Sequence, residues 1–246
     1  MRRAAAAPLL GALALLLASA LPAAAQSVTL SLPEGTGVTE RALQLVVLIT
    51  VLSVAPSILV MVTSFTRITV VLSLLRTALG TNTAPSNAVV IALSLFLTAF
   101  IMTSTFQTAY QQGVQPLLAN QINQTEAFER TSRPFKDFML KNVREKDLSL
   151  FLDMAREPRP ATPADIGLRV LVPAFMISEL RRAFEIGFLL FLPFLIIDLV
   201  VASVLMSMGM MMLPPVTVSL PFKLIFFVLV DGWSLVAGSL VQSFGN

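Results

Sequence analysis

Long apolar stretches separated by short polar breaks make up most of the chain, and one charge-rich segment stands between them. From Ala42 to Leu75, 34 residues carry a single charge, Arg67, and a single proline, Pro56. As one straight helix this stretch would run ~51 Å, well past the ~30 Å of a hydrocarbon core. Pro56 lacks an amide and crowds the preceding turn, so the pattern predicts two helical pieces broken near Ser53 to Pro56. Gly80, Asn82, Pro85, Ser86 and Asn87 predict a turn, and the 19 uncharged residues from Ala88 to Phe106 predict another apolar helix. Ile186 to Leu213 is 28 residues with Asp198 as its one charge, and Val216 to Val241 is 26 with only Lys223 and Asp231. Pro214 and Pro215 part these two stretches. That predicts a helical hairpin, with Pro193 and Pro221 kinking its arms.

Gln111 to Asp165 holds eight acidic and eight basic residues. Phe128, Phe135, Phe138 and Phe151 are interleaved among the charges, and Phe135, Phe138, Met139 and Asn142 fall on one helical face. The segment reads as a small polar, mostly helical insert whose aromatic face either anchors it to its own chain or meets a partner. Glu157, Pro158, Arg159 and Pro160 mark its exit. Thr162, Pro163 and Asp165 then have the spacing of a helix start, Thr162 as N-cap and Asp165 reaching back. At the beginning of the chain, Arg2 and Arg3 precede an apolar run from Pro8 to Leu21 that closes on Ala23, Ala24 and Ala25. This matches a cleavable leader over residues 1–25; an uncleaved first membrane helix is the other reading. With the leader removed, four crossings place the insert outside and Arg67, Arg76 and the Pro214 turn inside. The expected organisation is a leader (1–25), N-terminal hydrophobic helices (26–110), the insert (111–165), and an amphipathic helix leading into the hairpin (166–246).

Composition sharpens the picture. Of 246 residues 56% are hydrophobic and 13% charged, about half the charged fraction of an ordinary soluble domain. The chain has no cysteine and no histidine, which excludes disulfides, Cys/His metal sites, cysteine nucleophiles and histidine-based triads or relays. No P-loop of the form GxxxxGK[ST] is present. No cofactor is expected. The net charge of +3 falls to +1 without Arg2 and Arg3, so no nucleic-acid surface is indicated.

Three features carry candidate function. Asp198, Lys223 and Asp231 are ionisable groups in apolar surroundings, where each needs a partner, water or neutralisation. Counted from the Pro214–Pro215 turn, both aspartates stand ~24 Å away and Lys223 about half that. At least one aspartate is expected to meet Arg67, Arg76 or a basic residue of another chain; a proton path through Asp198 and Asp231, as in a small secondary transporter or proton channel, is the competing reading. Secondly, Met206, Met208, Met210, Met211 and Met212 crowd beside Pro214, with Gly209 loosening the helix. Flexible thioethers of several subunits can close an apolar constriction, although such a run also serves as core filler. Thirdly, in Pro173 to Arg182 and the residues after it, Glu179 is spaced to pair with Arg182 and in line with Glu185, leaving Phe175, Met176, Leu180 and Phe184 apolar. This is either a solvated interfacial helix or an assembly seam.

The blocks from Ala55 to Thr81 (APSILVMVTSFTRITVVLSLLRTALGT) and from Pro173 to Trp233, which includes PAFMISELRRAFEIG and MSMGMMMLPP, cover about a third of the chain. They resemble the FliP/SctR family of type III export-gate subunits, of which a leader is typical of the flagellar branch and the injectisome branch is the alternative. The resemblance implies an all-α, polytopic membrane-type protomer of bent helical hairpins, not an enzyme. It also implies a homo-oligomer, a pentamer, that assembles with FliQ-like and FliR-like membrane subunits and other export and basal-body components into a tapering channel. Its cargo would be unfolded export substrates, and its place the bacterial inner membrane, with part of the assembly on the periplasmic side. The family's pore gasket maps onto Met208, Met210, Met211 and Met212, with Met206 adjacent. Its buried charges map onto Arg67, Glu179, Arg182, Asp198, Lys223 and Asp231, and the helix breaks fall at Pro56, Pro193, Gly209, Pro214, Pro215 and Pro221.

Overall fold

The computed structural model describes residues 38–81, 83–156, 162–210 and 212–245. The predicted leader, Asn82, the exit residues Glu157 to Pro160 and Met211 lie outside the described residues. The chain divides into two units, Met1–Val51 and Leu52–Asn246. Of the first, residues 38–51 form the opening turns of helix α1 (Val38–Met61), where Thr50 Oγ1 donates to the Val46 carbonyl oxygen at 2.7 Å.

No strand occurs among the described residues. The helices after α1 are α2 (Phe65–Leu79), α3 (Asn87–Ile101), α4 (Thr103–Ala109), a π-helical turn (Tyr110–Val114), α5 (Gln115–Leu118), α6 (Gln124–Asn142) and α7 (Glu145–Ala155). A 3₁₀ turn (Pro163–Asp165) precedes α8 (Leu168–Ser207), α9 (Pro215–Leu229) and α10 (Gly232–Gln242).

Helix α2 is the hub. Its buried Ile68, Val71, Leu72, Leu75 and Leu79 recur at three- and four-residue spacing, and α8, α3 and α9 pack on it. Gly187 permits the close approach of α8, because a Cβ there would stand 2.3 Å from Leu74 Cδ1 and 3.2 Å from Leu74 Cβ. A second cluster, Met139, Leu152, Ile166, Val170, Leu171 and Phe175, joins α6 and α7 to the start of α8. The aromatic face of the insert is turned onto its own chain: Phe135 meets Phe106 edge-on at 5.6 Å, and Phe138 lies 5.9 Å from both Phe175 and Phe244.

The hairpin turns at Pro214–Pro215 as expected, but other breaks fall away from the prolines. Helix α1 runs through Pro56 and ends at Met61, so the break falls at Val62 to Ser64. There the Thr63 hydroxyl donates to the Val60 carbonyl oxygen at 3.2 Å and accepts from the Phe65 amide at 3.4 Å, and such local bonds compete with the helical ladder. Pro193 and Pro221 lie inside α8 and α9, which continue through them, and the second arm bends by 64° between α9 and α10, where Asp231 takes a left-handed φ of 50°. The stretch from Ala88 to Phe106 is likewise two helices, α3 and α4–α5, bent by 65° at Met102. Thr162 N and Oγ1 both donate to Asp165 Oδ2, at 3.2 and 2.7 Å, but this box closes only the 3₁₀ turn, and α8 begins after Gly167.

Four straight crossings are not found among the described residues. Among the described residues, α8 alone is long and apolar enough to cross a bilayer, and α3 with α4–α5 and α9 with α10 qualify as bent pairs. At 40 residues, α8 extends ~60 Å, twice a hydrocarbon core.

Gly187→Val should drive α2 and α8 apart and cost about 1–3 kcal/mol, whereas Gly238→Ala, with nothing within 4 Å of the added Cβ, should be neutral or stabilising. Thermal unfolding in detergent, followed through the single tryptophan, Trp233, checks both.

Candidate functional site

Two ion pairs hold the apolar helices together. Arg67, on the first turn of α2, has no exposed surface. Its Nε donates to Glu179 Oε2 at 2.8 Å and its Nη2 to Glu179 Oε1, a two-pronged guanidinium–carboxylate contact. Nη1 donates to the carbonyl and hydroxyl oxygens of Ser243, both at 2.9 Å, and the guanidinium carbon lies 3.6 Å from the centre of the Phe244 ring. One side chain thus ties α2, α8 and the residues after α10. Glu179 does not pair with Arg182 as its spacing suggests, because Arg67 occupies both its oxygens. Arg181 instead pairs with Glu185 at 3.0 Å on the exposed face, and Arg182 is half-buried with no side-chain hydrogen bond or ion pair among the described residues.

The second pair joins the hairpin arms. Lys223 Nζ, almost wholly buried, donates to Asp198 Oδ2 at 2.6 Å and to the Ala78 carbonyl oxygen at the end of α2 at 3.1 Å. The Ser219 hydroxyl donates to Asp198 Oδ1 at 2.5 Å. The height count from Pro214 had separated Asp198 from Lys223. They are level because α8 ends at Ser207, nine residues beyond Asp198, and α9 begins at Pro215, eight residues before Lys223, with no helix among the described residues between. Asp198 therefore meets a cation of its own chain and neither Arg67 nor Arg76, whose Nη1 donates to Asn87 Oδ1 at 2.5 Å. Asp231 is exposed at the α9–α10 bend, with no ion pair among the described residues.

The methionines stand on a well-formed helix end. Gly209, with φ of 73°, donates its amide to the Met206 carbonyl, and the Met210 amide donates to the Leu205 carbonyl, at 3.1 and 3.0 Å. These two bonds make a Schellman motif, which needs a left-handed residue where Gly209 stands. Gly209 therefore closes α8 and gives the turn a defined exit. Met206, Met208, Met210 and Met212 are 59%, 66%, 42% and 98% exposed. In the single chain they are not core filler.

Ser219, Ser243 and Phe244 went unnoticed in the sequence. Ser219 lies one turn before Lys223 on the same face of α9, a signal that the hairpin register makes readable; nothing in the sequence links Ser243 or Phe244 to Arg67. Among the described residues no cluster of acidic, histidine or cysteine side chains could hold a metal ion.

Charges paired inside and apolar side chains outside define an all-helical, membrane-type protein. The FliP family model matches residues 48–240, and the chain belongs to the FliP family. The flagellar biosynthetic protein FliP of Caulobacter vibrioides is 61% identical over 244 residues, covering 99% of this chain and 92% of that relative. That of Rhizobium meliloti is 56% identical over 199 residues (80% and 81%), and that of Bacillus subtilis 56% over 201 residues (82% and 91%).

Arg67→Met should destabilise the protein by about 3–5 kcal/mol by leaving a buried carboxylate unpaired, while Arg67→Met with Glu179→Leu should recover most of that loss. Thermal unfolding of the three proteins in one detergent reads the difference.

Proposed function

We propose that the protein is a channel-forming subunit of the flagellar type III protein export gate, conducting unfolded flagellar proteins across the bacterial inner membrane, and that it performs no catalysis. The observation that carries this reading is the turn after α8, which offers flexible apolar side chains to the outside from a rigidly closed helix end. A pore wide enough for an unfolded chain must be sealed against ions at rest, and a ring of thioethers from several copies supplies a dry plug that yields to any passing sequence. In the proposed assembly five copies of the chain, with FliQ-like and FliR-like subunits, surround the pore. Met208, Met210, Met211 and Met212 would form the gasket, with Met206 at its edge, and the polar segment 111–165 would stand on the periplasmic side.

The flagellar branch is favoured over the injectisome branch because the relatives named above are flagellar biosynthetic proteins. The inward pairs Arg67–Glu179 and Asp198–Lys223 support a scaffold role for the charges. A single-chain proton carrier built on Asp198 and Asp231 is the poorer reading, since Lys223 neutralises Asp198 and Asp231 lies on the exterior. The neutral pairs let the hairpin sit in an apolar assembly, and motor and targeting functions would fall to other components.

Replacing Met210, Met211 and Met212 together with alanine should raise the resting ion conductance of the assembled gate several-fold while leaving its subunit composition unchanged. Conductance recorded on purified complexes in planar bilayers tests this. Unaltered conductance in intact complexes would remove the gasket role.

A further inference from the structure

Between α4 and α6 lies a groove of about 490 Å³, within the size range of small-ligand sites. Two apolar helices end at it: Ile101, the last residue of α3, and Phe244, two residues past the end of α10, both line it. The exterior of the chain changes character here as well. Phe96 and Phe100 of α3 are 76% and 67% exposed, whereas the exposed residues of α4, just after the Met102 bend, are Thr103, Ser104 and Gln107. One wall of the groove is uncharged, with Ser104, Thr108 and Gln112. The other is charged: Arg133, Asp137 and Lys141 follow at four-residue spacing on α6, all exposed. That spacing suits ion pairs, and Glu126 with Arg130 forms one on the same helix. Arg133, Asp137 and Lys141 nevertheless form no side-chain hydrogen bond or ion pair among the described residues. Asn142, only 4% exposed, also lines the groove. Its Nδ2 donates to the Phe138 carbonyl oxygen at 2.9 Å, and its Oδ1 accepts nothing among the described residues.

The groove thus has two cationic donors and two acceptors, Asp137 and Asn142, without partners in the chain. A plain phosphate would be drawn by Arg133 and Lys141 but repelled by Asp137 and would bring no donor; a simple cation meets the reverse difficulty. A molecule that carries both signs a short spacer apart answers all of them. We propose that the groove holds the headgroup of an aminophospholipid, a phosphoethanolamine ester, with its phosphate accepting from a cation of α6 and its primary ammonium donating to Asp137. One helical turn, ~5–6 Å between side-chain origins, separates Asp137 from Arg133 on one side and from Lys141 on the other. The two-carbon spacer between phosphate and ammonium suits that interval. A lipid is the source that fits the location, because a headgroup belongs where an apolar exterior gives way to a polar one. Ile101, Phe138 and Phe244 offer apolar contact to the glycerol and the first methylenes. The ammonium is the discriminating group: a choline headgroup brings the same phosphate but no N–H, and would leave the two acceptors of the groove without a donor. This inference goes beyond the channel-subunit reading and does not depend on the methionine turn.

Short-chain phosphatidylethanolamine and phosphatidylcholine, added in turn to the protein purified from its membranes with its companion subunits, yield two apparent dissociation constants by native mass spectrometry. Phosphatidylethanolamine should bind roughly ten-fold more tightly. Asp137→Asn should erase that preference, whereas Arg133→Gln with Lys141→Gln should weaken both lipids several-fold and keep their ratio. The three side chains are exposed, so the unfolding transition read through Trp233 should not move in any variant. Soluble O-phosphoethanolamine, which has no acyl chains, should not displace the lipid at equal concentration; displacement would overturn a lipid as the occupant. Equal binding of the two lipids by wild-type protein, or a preference that survives Asp137→Asn, would overturn the site. Either failure leaves the gasket untouched, since conductance tests that separately.

Discussion

An ionised group surrounded by apolar atoms has to be matched close by, and that constraint organises this protein. Arg67 is wholly buried, so its five donors dictate what surrounds it: the Glu179 carboxylate, the Ser243 oxygens and the face of Phe244. Satisfying one guanidinium brings α2, α8 and the last residues of the chain to a single point. Lys223 does the same on a smaller scale, joining α9 to α8 through Asp198 and to the end of α2 through the Ala78 carbonyl. Neither pair is needed for raw stability, since well-packed apolar residues can replace a buried ion pair. What the pairs supply is register. They fix which turn of one apolar helix faces which turn of another, where hydrophobic contacts alone would tolerate sliding.

The same arrangement leaves the exterior greasy. Phe96, Phe100, Phe188, Leu199 and Leu229 are each more than three-fifths exposed, far beyond the scattered apolar residues of a soluble surface. Such a surface calls for lipid or other protein to cover it. The helices are also poor simple crossings: α8 overruns a bilayer, and two other segments bend by more than 60°. Bent and overlong elements are tolerated at membrane depth where other protein covers the interrupted backbone, which agrees with a life inside an assembly.

Much of this was legible in the sequence, and the failures share a cause. The apolar runs, the hairpin at Pro214–Pro215 and the aromatic face of the insert follow from periodicity and punctuation. Break positions did not. Pro56 sits within a helix that ends only at Met61, and Thr63–Ser64, Met102 and Asp231 mark interruptions that no proline announces. A proline removes one donor, which a packed helix survives; side-chain competition for the backbone and a left-handed residue change its direction. The partner of Glu179 was missed for a related reason. Arg182 is its neighbour at helical spacing, but Arg67, 112 positions away along the chain, can reach both carboxylate oxygens from within the core.

Native mass spectrometry of the protein drawn from its own membranes in a mild detergent, with whatever small membrane proteins accompany it, measures most directly whether the chain is completed by other chains. Several copies of this chain bound to further hydrophobic subunits, in one defined stoichiometry, is the expected spectrum. A monodisperse, folded single copy that keeps its Trp233 unfolding transition without any companion would contradict the account.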